Sequence, residues 1–286
     1  MVTSGFDVVA TLNIFLSIVA SVGNAMILVS LHKETSLYPP AKLLFRCLAA
    51  TDLCVGLTIQ PLGAVLRLMY ARSYWKNTAT LHQLHQAISF TLYGVSVFTT
   101  TAISLDRRQA LVSGLRYRHV VTLPRVRASI IVFWLIGLSC GSMFFWKSKI
   151  ALTAAFSLIV ISVSTSVFSY VKVYRKLREH QLQVQTVMQG LPNGRQVPLN
   201  IIRYRKSVYS VLWVQFALVI CYIPFIVVVM LMTYGRRMGG KKFEITVDAA
   251  VTLTYLKSSL NPILYCWRIR AVRQAARDTI KKFICW

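Results

Sequence analysis

Lys257 stands inside the apolar run LKSSLNPILY (residues 256–265), and Asp52 lies in the equally apolar stretch LAATDL. An ionisable side chain in such surroundings is a functional site whose partner has to be found. A buried lysine pairs or loses its proton, and Asp52 is the obvious partner, since it would otherwise be an unpaired buried carboxylate. A third charged site, SLDRR, places Asp106 directly before Arg107 and Arg108. Arginines anchor membrane helices at the cytoplasmic side, but an acid in front of them has no anchoring use, so the pair calls for a further role. This chemistry is ionic rather than catalytic. The sequence holds no nucleophile motif, phosphate loop or metal cluster, which argues against an enzyme. His82 and His85, three residues apart, could in principle bind a metal, but such a pair is more often simply pocket lining.

The elements that carry these residues follow from composition. Hydrophobic residues make up 56% of the 286 and charged residues 14%, too apolar for a soluble domain, where charge is about a quarter of the chain. Seven stretches are long and apolar enough for a bilayer crossing of about 20 residues: 8–31, 43–69, 84–105, 128–146, 150–171, 208–232 and 245–265. Their links are short except for 174–207, whose patch GLPNGRQVP reads as a mobile connection. The net charge of +25 would suggest nucleic acid in a soluble protein. In a membrane protein it means cationic loops on an anionic leaflet, so membrane lipids are expected partners and nucleic acid is not. Twenty-three Lys and Arg fall after spans one, three and five, in the tail or, as Arg46, in the first turn of span two, against eight on the opposite side. This sets the N-terminus outside and the C-terminus in the cytoplasm.

Six of the seven spans carry, within them or at their ends, a few distinctive residues: Gly23-Asn24, Asp52, Asp106-Arg107, Trp134, Cys221 to Pro224, and Asn261 to Tyr265. Taken in order, one set per helix, they resemble the rhodopsin-like (class A) G-protein-coupled receptors over essentially the whole chain. The stretches LHKETSLYPPAKLLFRCLAATDLCVGL and GLRYRHVVTLPRVR further resemble a large group of such receptors from corals and anemones. That group sits near the melanocortin, cannabinoid, lysophospholipid and adenosine receptors. The resemblance implies an all-α membrane protein of the plasma membrane. Residues 1–266 form its seven-transmembrane helix bundle, and residues 267–286 a C-terminal interfacial amphipathic helix. It also implies a signalling receptor that passes an extracellular or lipid-borne ligand (small molecule, lipid or peptide) to a heterotrimeric G protein.

The resemblance assigns roles residue by residue. Asp106 holds Arg107 at rest, Tyr170 and Tyr265 turn toward it on activation, and Leu115 inserts into the Gα subunit. Pro224 and Asn261-Pro262 remove backbone hydrogen bonds and let their helices bend. Gln86, Ser89, Phe90, Tyr93, Tyr222, Phe225 and Tyr255 line the ligand cavity. Asp52, Ser96, Ser258 and Asn261 surround a sodium ion in the family, but Lys257 takes the place of an asparagine there. We expect its ammonium to replace sodium as a tethered ion, so no cofactor is expected. In the tail, Ile269, Val272, Ala276, Ile280 and Phe283 make an apolar stripe, and Cys285 is either palmitoylated or a free thiol.

Departures from the family are informative. His82 replaces the usual span-three cysteine, so the disulfide staple is lost. Ser162 replaces the span-five proline. Tyr222 and Leu218 replace the usual aromatics of span six, and Tyr204 stands where a glutamate would lock Arg107, so ligand-free signalling is expected. Ser89 replaces the acid of amine receptors. The outer cations, with Arg67 just inside span two and Lys149 beyond span four, suggest an anionic, partly apolar ligand, although lipid contact alone would also account for them. An opsin is the nearest alternative. Its retinal lysine, however, falls at Tyr255, and Lys257 is rotated from there by about 200°. A transporter would be expected to show a repeat, and the sequence has none.

Overall fold

The computed structural model describes residues 2–35, 37–71, 78–146, 148–189, 220–232 and 240–268, with 273–274, 277–278 and 281. These form helices α1 (Val2–Lys33), α2 (Pro39–Cys54), α3 (Gln60–Ala71), α4 (Ala79–Ser113), α5 (Tyr117–Val120), α6 (Leu123–Ser142), α7 (Ser148–Gln189), α8 (Ile220–Met232) and α9 (Lys241–Arg268). The chain is an all-α membrane bundle. Five stretches are long and apolar enough to cross a membrane: Gly5–Lys33, Pro39–Met69, Ala79–Ser113, Leu123–Phe145 and Lys149–Lys176. α8 is the described part of span six. α9, the seventh, has 28 residues, about 42 Å of helix, and its polar residues dilute its hydropathy.

Side chains are sorted inversely to those of a soluble bundle. Phe15, Ile131, Ile161 and Phe168 face outward, whereas Asn13, Asn24, Asp52, Thr99 and Lys257 are buried. In lipid this is the favourable arrangement, because polar groups find partners only between helices. α1 packs on α2, α3 and α9, and α4 packs on α2, α6 and α7.

Two prolines shape the spans, and in both a neighbouring helix accepts the consequence. Between α2 and α3 the chain widens into a π turn, Val55–Ile59, in which Gln60 N–H bonds the carbonyl of Val55. The next donor in that register would belong to Pro61, which has none. The Gly56 carbonyl accepts instead from Ser17 Oγ at 2.7 Å. In α9, Pro262 likewise leaves the Ser258 carbonyl without its helical donor, and Asn24 Nδ2 donates to it at 3.0 Å. Gly23 makes this approach possible: a Cβ there would lie 2.8 Å from the Pro262 ring.

α4 and α6 meet at Gly137 and Gly141, where Thr91 Oγ1 donates to the Gly137 carbonyl at 3.1 Å. A Cβ at Gly141 would fall on Thr91 Oγ1 and 2.6 Å from the Ala87 carbonyl oxygen. Gly141→Ala therefore forces the helices apart. It is expected to cost about 1–3 kcal/mol, read as a lowered melting temperature of the detergent-solubilised protein. Alanine at the exposed Ser139 is the control.

Helix extends into the segment expected to link spans five and six. α7 continues as helix to Gln189, well past the span end at 171. The GLPNGRQVP patch, Tyr204, Leu218 and Cys285 lie outside the described residues, as does most of the amphipathic tail. Arg273 Nε donates to the Cys266 carbonyl at 3.0 Å and so caps the end of α9.

Candidate functional site: cavity, buried ion cluster and charged end of α4

A cavity of about 600 Å³ opens among α3, α4, α6, α7, α8 and α9. All seven residues expected to face a ligand lie on its wall: Gln86, Ser89, Phe90, Tyr93, Tyr222, Phe225 and Tyr255. The wall is mostly aromatic. Phe90 packs on Phe144 at 4.4 Å between ring centroids, and Tyr93 stacks on Tyr255 at 5.7 Å. One end is polar. There Arg67 Nε lies 2.9 Å from Asp248 Oδ1, His82 and Gln86 are 3.0 Å apart, and His85 meets the Ile59 carbonyl at 3.1 Å. Sequence reasoning singled out Arg67 but not its partner Asp248. Lys149 is exposed and does not line the cavity. Among the described residues no group of three or more His, Cys, Asp or Glu is placed to hold a metal ion.

Below the cavity floor lies the ion cluster. Asp52 is fully buried. Its Oδ1 accepts from Ser258 at 2.8 Å and from Ser96 at 3.2 Å, and its Oδ2 accepts from Asn261 at 2.6 Å. Lys257 Nζ donates to Ser96 Oγ at 2.5 Å. The expected pairing is thus altered in one respect: the ammonium reaches Asp52 through the Ser96 hydroxyl, which accepts from the lysine and donates to the carboxylate. The amine of Lys257 thus ends on Ser96 of α4 rather than on the carboxylate itself. The ammonium also lies 5.7 Å from the ring centroid of Tyr222, a cavity-wall residue. A sodium ion does not fit these residues. Ser96 Oγ is already bonded to an ammonium, and a second cation there would sit against it.

At the C-terminal end of α4 Asp106 is buried and lies 2.9 Å from Arg107 Nη2. Its other oxygen accepts from Tyr117 Oη at 2.6 Å. Tyr117, missed by sequence reasoning, is brought back toward α4 by the tight turn Gly114–Arg116, which also contains Leu115. Burial, and then the Asp106 carboxylate, push the Tyr117 hydroxyl above its ordinary range, so it remains a protonated donor. Tyr38 supports it, with rings 5.3 Å apart and Tyr38 Oη donating to the Val121 carbonyl at 2.7 Å. Arg107 lies 5.9 Å from the Phe45 ring centroid, and Tyr265 meets the same ring edge-on at 5.1 Å. Tyr170 is buried, and Pro224 lies in α8. Tyr117→Phe removes one of the two contacts restraining Asp106. Ligand-free nucleotide exchange on Gα is expected to rise about two- to tenfold, and an unchanged rate would show that Arg107 alone holds the acid.

The sequence profile of the 7 transmembrane receptor (rhodopsin family) matches residues 23–151 and 139–265. The chain belongs to that family: it is a multi-pass plasma-membrane receptor of the G-protein-coupled class and not an enzyme. Among curated proteins it is 22% identical to the histamine H2 receptor of Cavia porcellus over 290 residues, which cover 93% of this chain and 77% of the relative. It is 24% identical to the histamine H2 receptor of Rattus norvegicus over 283 residues, covering 91% and 75%.

Proposed function

We propose that this receptor couples a partly apolar extracellular or lipid-borne ligand, held in the 600 Å³ cavity, to heterotrimeric G proteins. The observation that carries the reading is continuity. Tyr222 borders both the cavity and Lys257, and Lys257 joins through Ser96 to the Asp52–Asn261 cluster beside the Pro262 kink. A ligand that moves Tyr222 thereby acts on the bend of α9, and a bend with two packings is what a switch needs. Asp106, Arg107, Leu115, Tyr170 and Tyr265 form the G-protein end, with Pro224 and Pro262 as hinges. The excess of Lys and Arg supports an extracellular N-terminus and a cytoplasmic C-terminus. The same reading divides the chain into a receptor domain, 1–266, and an interfacial tail, 267–286, in which Cys285 is either palmitoylated or a free thiol. The resemblance to receptors of corals and anemones belongs to it too.

The test is nucleotide exchange on a panel covering all Gα classes, with receptor in lipid nanodiscs and histamine among the ligands screened. Faster exchange on at least one Gα is expected. No acceleration on any, with or without ligand, would overturn coupling.

A further inference from the structure

We propose that Arg67 forms an anion subsite at the polar end of the cavity and that the ligand it takes is an apolar molecule with one carboxylate. This rests on the cavity being the ligand site. Arg67 is only 9% exposed and lines the cavity. Asp248 approaches one side of its guanidinium at Nε, while Nη1 is buried with no hydrogen-bond partner among the described residues. A buried donor left unmet is costly, and a cavity holding one is prepared for an acceptor.

The surroundings favour a carboxylate over other acceptors. A guanidinium offers a planar fork of N–H groups that a carboxylate fits with two parallel bonds. Gly63 leaves the fork its space, since a Cβ there would stand 3.2 Å from Nη1. The ring of Tyr255 lies 6.0 Å from the guanidinium carbon and shields that flank. Beyond the polar end the walls are Phe90, Phe144, Phe225 and Leu152, which suit a hydrocarbon body. The volume is within the range of pockets for single small ligands, roughly 300–1,000 Å³. Asp248 acts in the empty cavity as a tethered substitute: it compensates the arginine until a ligand carboxylate shares or displaces it. Because Asp248 belongs to α9, that displacement is felt on the helix carrying Lys257 and Pro262.

The experiment measures binding of decanoate, 1-decanol and decylamine to the full chain in lipid nanodiscs without G protein, by melting temperature against aqueous concentration. Decanol and decylamine control for partition into lipid. Decanoate is expected to bind at least tenfold tighter than decanol. Arg67→Gln should erase that preference. Asp248→Asn should tighten decanoate about tenfold, because it removes a competing like charge and leaves Arg67 uncompensated. This opposite response also separates the proposal from simple damage to the fold. Equal binding of decanoate and decanol, a preference for decylamine, or no gain in Asp248→Asn would each overturn it. Hexanoate supplied in water and oleate premixed into the disc then distinguish a ligand arriving from solution from one arriving through the bilayer. Decanoate binding without nucleotide exchange would uphold the subsite and count against coupling, and exchange without decanoate binding would do the reverse.

Discussion

Lys257→Ala is expected to destabilise the receptor by about 3–5 kcal/mol, and Asp52→Ala by a similar amount, whereas the double mutant should be more stable than either. Each single change leaves an ion in the bundle without its opposite. Asp52 retains donors from Ser258, Asn261 and Ser96 but loses the positive charge, and Lys257 retains, among the described residues, Ser96 and the face of Tyr222. Removing both leaves neutral hydroxyls and an amide that can bond one another. Because Ser96 stands between the charges, Ser96→Ala should lower the coupling in a double-mutant cycle without removing it. The measurement is thermal unfolding of purified receptor. The parent is expected to be indifferent to exchange of sodium for choline chloride at constant ionic strength, and Lys257→Asn should create a dependence on sodium. Simple additivity of the two alanine changes, or sodium sensitivity in the parent, would refute the tethered ammonium.

Arg107→Ala should reduce receptor-stimulated nucleotide exchange to the rate of Gα alone, with surface expression near that of the parent. Arg107 is about one-third exposed near the C-terminal end of α4, whereas its partner Asp106 is buried and keeps the Tyr117 hydroxyl when the arginine is gone. The fold therefore loses little, and the G protein loses the cation presented to it. Arg108, whose guanidinium lies 5.8 Å from the Phe168 ring, gives the control. If Arg108→Ala is equally inactive, or Arg107→Ala retains half the stimulated rate, the switch reading fails.

Much of this was legible before any coordinates. Hydropathy marks the spans because a bilayer core demands runs of fixed length, and Asp52, Asp106-Arg107 and Asn261-Pro262 stand out because lipid tolerates few such groups. What escaped depends on distances across the bundle. The pairing of Arg67 with Asp248 joins residues 181 positions apart, with no local signature. The role of Tyr117 arises only once the turn after α4 folds it back on Asp106. Ser96 between Lys257 and Asp52 is a matter of side-chain reach, which helical spacing does not resolve. The π turn had a local cue, Pro61, whose missing donor is readable but whose compensation by Ser17 of another helix is not. The helical run to Gln189 was hidden because charged and polar residues replace the apolar period once the chain leaves the bilayer.

In α9, Asp248, Tyr255 and Pro262 follow one another at intervals of seven. A helix drifts only about 20° per heptad, so the three lie along a single line. The first meets Arg67, the second closes the cavity wall, and the third rests on Gly23. The helix thus works as a camshaft whose lobes must keep their phase. Changes of side chain along it can be graded in effect, but gain or loss of one residue between 248 and 262 would turn the two ends about 100° out of step. Receptors built on this plan can vary in the length of α9 only beyond those two positions.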